Sequence, residues 1–279
     1  MDREKVIKGL SEGDSQQRYQ MLFEAADSPR QEYYAILISL LEDKDEWIRL
    51  NAVRALAALG SGTAVTPLLD LLKREENNYV KAALLKTLGK LGNKKLLPVI
   101  VPFFNDSDSR VVANSIEAIE LIGDRSVADK VRHLLGHQEI RVRVNAAKAL
   151  WKFGFIEALD ELLRMIEAKE SWVRDSVIYA LGEINTPQTR KVLCQHLGSE
   201  EEESIRIKII EILGKIGDEQ SIPFLRECLK GKSLRLAESA QLAISGITLR
   251  RGEHQHCPDC GAMIRKGNKF CGQCGCKMS

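Results

Sequence analysis

Apolar positions return along this chain at a fixed interval. The clearest copy is Asp45 to Gly60 (DEWIRLNAVRALAALG). Ile48 stands twelve residues before Gly60, and the same interval separates Val80 from Gly92, Val111 from Gly123 and Val142 from Gly154. It recurs between Val173 and Asn185, Ile205 and Gly217, and Leu234 and Gly246. Successive copies are 32, 31, 31, 31, 32 and 29 residues apart. Such regularity marks an internal repeat, which settles the architecture before any single residue does.

Counting back from the closing Gly or Asn, apolar residues sit at −12, −8, −4 and −1, one face of a 3.6-residue helix. The −4 column reads Leu56, Leu88, Ile119, Leu150, Leu181, Leu213 and Leu242. Position −5 is usually small (Ala55, Thr87, Ala118, Ala149, Ala180), which lets a neighbouring helix come close. The closing Gly predicts a helix end in the left-handed conformation, and Asn185 is the next best residue for it. Between these helices lies a shorter apolar stretch, with Pro67, Pro98, Pro187 and Pro223 early in it, where the first-turn N–H groups lack helical partners. Each unit is therefore a helical hairpin. One hairpin cannot bury its apolar face alone, so the units must stack.

An acidic residue, then Trp-Val-Arg, then an Ala-rich helix ending Leu-Gly-x-Ile-Gly-Asp resembles the HEAT-like repeat first named from phycobilisome lyases. Ser171 to Arg174 (SWVR) and Ile212 to Asp218 (ILGKIGD) carry the resemblance best, and it covers roughly residues 29 to 246. It implies an all-α fold: a right-handed α-solenoid of about seven to eight HEAT-like hairpins. Such repeats serve adaptors, lyases and enzymes alike. Residues 1–28 read as a degenerate capping repeat, with a helix over Gln16 to Ala26 but no closing Leu-Gly. Residues 29–246 are the solenoid, 247–256 a linker and 257–279 the ribbon.

Composition adds little. Net charge is +2, so bulk charge implies no acidic partner. The N-terminus opens directly into polar helix, without a signal peptide. The longest apolar run, Leu96 to Phe104, has nine residues and two prolines, far short of the ~20 that cross a bilayer. The expected location is cytoplasmic.

Arg49, Lys81, Arg143, Arg174, Arg206 and Arg235 follow the opening apolar residue in six of seven copies, with Asp45, Asp108, Glu139, Glu170 and Glu203 in the loops before them. This column reads as an acid–base ladder tying adjacent loops; the alternative is a stripe for phosphate or an acidic peptide. Exposed positions of the second helix, placed at −9, −6 and −2, should line the inner surface. They include Arg54, Lys86, Lys90, Lys148, Lys152, Lys208 and Lys215, with Asn51, Asn114, Asn145 and Tyr179, against Glu117, Glu183 and Glu211. A solvated face and a binding surface are both open readings. Arg54, Lys86, Lys148, Lys152, Tyr179 and Lys208 are the candidate partner contacts. Trp47, Trp151 and Trp172 are expected in the core or in inter-repeat packing rather than as ligand platforms, and Cys194 and Cys228 as small buried hydrophobes. His133, His137 and His196 are isolated, and none is followed by Glu, so the paired His-Glu motif of the HEAT-repeat hydroxylases is absent. No Ser-His-Asp context, phosphate-cradling Gly loop or His-Glu-x-x-His stands in the chain, so no catalytic residue is assigned.

The tail is chemically distinct. Cys257 and Cys260, ten residues, then Cys271 and Cys274 form two C-x-x-C pairs. They can set four thiolates tetrahedrally around one ion at ~2.3 Å. Gly261 and Gly275 permit tight turns that aim backbone N–H groups at the sulfurs, and Ile264, Lys266 to Asn268 and Phe270 suggest a short hairpin. The tail looks like the small zinc ribbon that ends many bacterial proteins. Disulfides fit poorly without a signal peptide, and a redox pair would sit in a thioredoxin-like fold. One structural Zn²⁺ is expected, because four protein ligands leave no open position. Cys276, His254 and His256 are spare or alternative ligands. Residues 247 to 279 hold six Lys or Arg against two acids, a formal balance of +4.

Three functions fit. The first is a non-enzymatic adaptor whose concave face takes a protein, with the ribbon as a second contact. The second is a nucleic-acid-associated protein using ribbon and basic inner face. The third, by family resemblance alone, is a phycobilin-lyase-like chromophore protein.

Overall fold

The computed structural model describes residues 3–260, 263–265 and 267–277. The chain forms two compact units, residues 1–158 and 159–279. Unit 1 opens with α1 (Arg3–Glu12) and α2 (Ser15–Asp27). Asp14 caps α2 in a reciprocal capping box with Gln17. Then follow α3 (Tyr34–Ser39), α4 (Glu46–Leu59), α5 (Val65–Arg74), α6 (Asn78–Leu91), α7 (Leu97–Ile100), α8 (Ser109–Ile122), α9 (Ala128–His133) and α10 (Ile140–Lys152). The second helices of the hairpins, α2, α4, α6, α8 and α10, pack each on the next in chain order.

The repeat columns are the core. Ile48, Val80, Val111 and Val142 are buried, as are Leu56, Leu88, Ile119 and Leu150. The first helices are weaker elements. α7 is a single α turn between the 3₁₀ turns Lys94–Leu96 and Val101–Asn105, where Pro98 and Pro102 remove two backbone donors. α3 and α9 are likewise flanked by 3₁₀ turns on both sides.

Helix ends follow the expected chemistry in part. Asp45, Asn77 and Asp108 accept backbone N–H bonds at the starts of α4, α6 and α8. Gly60, Gly123, Gly154 and Asn185 have positive φ, as the pattern predicts. Gly92 and Gly217 do not: their φ values are −93° and −65°. What excludes a side chain at Gly92 is space, because a Cβ would stand 2.1 Å from Leu96 Cδ1.

Unit 2 begins within α11 (Ala158–Met165) and continues through α12 (Ser171–Ile184), α13 (Pro187–Ser199), α14 (Glu203–Ile216), α15 (Ile222–Leu229) and α16 (Leu234–Glu253). α12, α14 and α16 pack in order. Here the sequence register fails for the last copy. α16 buries Leu236, Ala240, Ala243 and Ile247, while Leu234 and Leu242 are 80% and 74% exposed. Gly246 ends no helix. It lies inside α16, its would-be Cβ 3.4 Å from the Gly214 carbonyl oxygen, and the stretch expected as a linker, 247–256, holds the last two turns of α16 and a short strand. Strands β1 (His254–His256) and β2 (Met263–Arg265) then pair antiparallel, with Gln255 opposite Ile264. Among the described residues no helix is long and apolar enough to cross a membrane.

Candidate metal centre and basic groove

The two C-x-x-C pairs converge. The sulfurs of Cys257, Cys260, Cys271 and Cys274 all lie within 4.8 Å of one another, with 3.5 Å between Cys257 and Cys274 and 3.6 Å between Cys260 and Cys271. A tetrahedral thiolate site needs sulfurs roughly 3.8 Å apart, from metal–sulfur bonds of ~2.3 Å. The backbone prepares the thiolates. The Gln273 N–H donates to Cys271 Sγ, and Gly275 takes φ 75°. N–H groups of Cys260 and, secondarily, Asp259 bring the Cys257 thiol down to about 6, against some desolvation. The Cys274 N–H acts first among the groups lowering Cys271. Hydrogen bonds to a charged form favour it. The four cysteines can therefore hold a metal ion.

Ile264 is buried beside Cys257 and Cys271, but Phe270 is 59% exposed and joins Lys277 by a backbone bridge. Gly261, Lys266 and the side chains of His254 and His256 lie outside the described residues. Cys276 Sγ stands 3.6 Å from Cys257 Sγ and is pushed up to about 12, by desolvation first and then by Cys257. Cys274, one of the four, is raised as well, and Cys276 also lies within 4.8 Å of Cys274 and Asp259.

Two members of the Arg column, Arg49 and Arg174, tie loops together, and Arg143 makes the backbone half of the same arrangement on the carbonyls of His137 and Gln138. Arg49 Nε and Nη2 each donate to Glu75 at 2.8 Å, while Nη1 donates to the carbonyls of Asp43 and Lys44. Arg174 repeats the bracket in unit 2, on Glu200 and the carbonyls of Ala168 and Lys169. The acids are Glu75 and Glu200, each 26 residues ahead of its Arg; the loop acids Asp45 and Asp108 are spent on capping.

The predicted inner-face residues divide. Arg54 and Lys86 line one groove of about 530 Å³ in unit 1, with Lys90, Tyr79, Arg110, Arg141, Ala57, Ala58, Ala82 and Ala83. Lys148 is not an exposed position. It is 8% exposed and pairs with Glu120 at 3.3 Å, and Lys152 bonds the same carboxylate at 2.5 Å. Lys208 pairs with Asp175, and Tyr179 stands 54% exposed, both in unit 2. Asn51 and Asn114 are buried and donate to carbonyls of their own helices. Trp47 and Trp172 are surface residues, 49% and 58% exposed, rather than core. Cys194 and Cys228 are buried, as expected.

Sequence reasoning passed over Tyr79, Arg110 and Arg141. The signal was available at −13 from the closing residue, where Trp47, Tyr79, Arg110, Arg141 and Trp172 form a column. The Arg110 guanidinium lies 3.8 Å above the Tyr79 ring, and the Trp47 ring is 5.9 Å from it.

This chain is 27% identical over 186 residues to a bilin biosynthesis protein, PecF, of Mastigocladus laminosus, a span of 60% of this chain and 88% of that one. It is 24% identical over 169 residues to the phycocyanobilin lyase subunit alpha of a Picosynechococcus species, covering 54% and 63%. The fold matches the complex of CpcE and CpcF of phycocyanin lyase from a Nostoc species, with a TM-score of 0.64 at 19% identity over 88% of this chain and 94% of that one. The names of these relatives overturn the expectation of a non-enzymatic adaptor: the proteins it resembles are lyase subunits and bilin biosynthesis proteins. The family described as HEAT repeats matches residues 3–85, 65–141, 133–206 and 177–245, and the chain belongs to it.

Proposed function

We propose that this chain is a lyase-type repeat protein, which holds an open-chain tetrapyrrole pigment and hands it to an acceptor polypeptide while docked to a helical-repeat partner. The span of the likeness to bilin proteins carries the reading, since it takes in 88% of the first relative. The surface of α16 supports the partner. Leu234, Leu242 and Leu249 are 74–80% exposed, and Leu242 and Leu249, seven residues apart, share one helical face. Large apolar residues clustered this way mark protein interfaces. Tyr179 and Lys208 remain contacts of unit 2 for the partner or acceptor; Lys148, buried on Glu120, is dropped.

Zn²⁺ is the metal we assign to Cys257, Cys260, Cys271 and Cys274. Four thiolates suit it, and a site closed by four protein ligands is structural. The ion supplies folding free energy to a segment whose core, among the described residues, is Ile264 with its cysteines.

The test is co-expression of pigment, a bilin-accepting apoprotein and a candidate repeat partner, with and without this chain. Covalent colour on the acceptor should require the chain. Substituting Leu242→Glu together with Leu249→Glu should abolish the partner complex and the colour without lowering the melting temperature. Equal colour in the presence and absence of the chain overturns the lyase-type reading.

A further inference from the structure

The groove of unit 1 carries more positive charge than the repeats need. Lys86 is held by Glu117 at 2.7 Å and Arg110 by Asp108 at 2.8 Å. Arg54, Lys90 and Arg141 are exposed and have no acidic partner among the described residues, and no carboxylate lines the groove. Gathering like charges on one concave wall is unfavourable unless an anion settles among them, and such a wall concentrates anions. Arginine adds geometry, because its planar fork matches a carboxylate through two parallel hydrogen bonds.

The uncharged parts narrow the ligand further. Ala57, Ala58, Ala82 and Ala83 also line the groove, short side chains that leave apolar surface among the cations. Tyr79 lines it too, its ring 3.8 Å from the Arg110 guanidinium and 5.9 Å from the Trp47 ring, so flat groups gather at this part of the groove. A volume of about 530 Å³ falls within the range of sites that bury a small molecule. Cations without acidic partners, short apolar side chains and an aromatic ring in one groove together suit a planar, conjugated, multiply anionic ligand.

We propose that this groove is the seat of a flat conjugated dicarboxylate, of the open-chain tetrapyrrole class, with Arg54, Lys90 and Arg141 holding its carboxylates and Tyr79 its ring edge. The assignment of ligand class rests on the lyase-type reading; the assignment of place rests on the groove alone.

The experiment titrates the full-length protein with biliverdin and, in parallel, with its dimethyl ester, following the pigment absorbance. The variants are Lys90→Glu with Arg141→Glu, Tyr79→Ala, and Lys73→Glu on the exposed face of α5 as control, each checked for native helix content. Blocking the carboxylates or reversing the two wall charges should weaken binding by about tenfold or more, because charge-assisted contacts are lost and repulsion replaces them. Tyr79→Ala should weaken both ligands, and Lys73→Glu neither. Biliverdin binding that the ester and the groove variants leave unchanged overturns the groove while leaving the lyase-type reading in place. No biliverdin binding by the unaltered protein overturns both. Binding of a single-stranded oligonucleotide instead, lost in the same groove variants, also overturns the proposal and gives the groove to nucleic acid.

Discussion

Arg49 and Glu75 form a bracket in which neither group is easily replaced. The Glu75 side chain is 2% exposed, and besides Arg49 it accepts from the N–H groups of Glu76 and Asn77. Removing one partner of a buried pair strands the other charge, so Arg49→Ala should lower stability by about 3 kcal/mol in denaturant unfolding. Burial pushes Glu75 and Glu200 up, but their arginines and backbone donors outweigh it and both sit below the ordinary carboxylate range. Asp108, hydrogen-bonded first of all by Arg110, is lowered to about 2. A carboxylate depressed on folding contributes stability that is complete above its free pKa and is lost as pH falls through its folded value. The melting temperature should therefore hold above about pH 4 and drop between there and pH 2, by less in Arg110→Ala. A drop of unchanged size in that variant would remove Asp108 from the account. At this scale the sequence was half legible. Caps and the C-x-x-C pairs are local and could be read directly. The burial of Lys148 could not, because one helix's own periodicity carries no information about Glu120 on the neighbouring helix.

Between elements, a close approach is at Gly89 on α6. A Cβ there would lie 2.4 Å from Ala118 Cα on α8, so any side chain must push the two helices apart. Gly89→Ala should cost roughly 1–3 kcal/mol despite the better helix propensity of alanine, as overpacking does. A variant as stable as the parent would mean the helices part freely. The hairpins were legible because their apolar column repeats at one face of a helix in copy after copy. The break in register at α16 was not, because Leu234 and Leu242 imitate the column while facing solvent. Leucine alone does not say which side of a terminal helix has a neighbour. The 3₁₀ breaks in the first helices were signalled only where prolines fall, as in α7.

For the whole molecule, repeats and tail draw stability from different sources. The repeats bury continuous columns of Leu, Ile, Val and Ala, whereas the tail has Ile264 and its cysteines. Elemental analysis should find one zinc per chain, absent in Cys257→Ser and retained in Cys276→Ser. Loss of the metal in Cys276→Ser would place that thiol among the ligands. Chelation should spare the helical signal, which belongs to α1 through α16.

The bracket that recurs on Glu75 and Glu200 has a consequence for how such a gene changes length. Each Arg reaches an acid 26 residues further along the chain. An insertion of part of a repeat between the two would carry the acid away from its guanidinium and leave both charges stranded. Gain or loss of an entire repeat elsewhere keeps every reach intact. Viable ancestors and descendants should differ by whole copies of about 31 codons, a step set by the packing of helices and reinforced by an ion pair in the two copies that carry it.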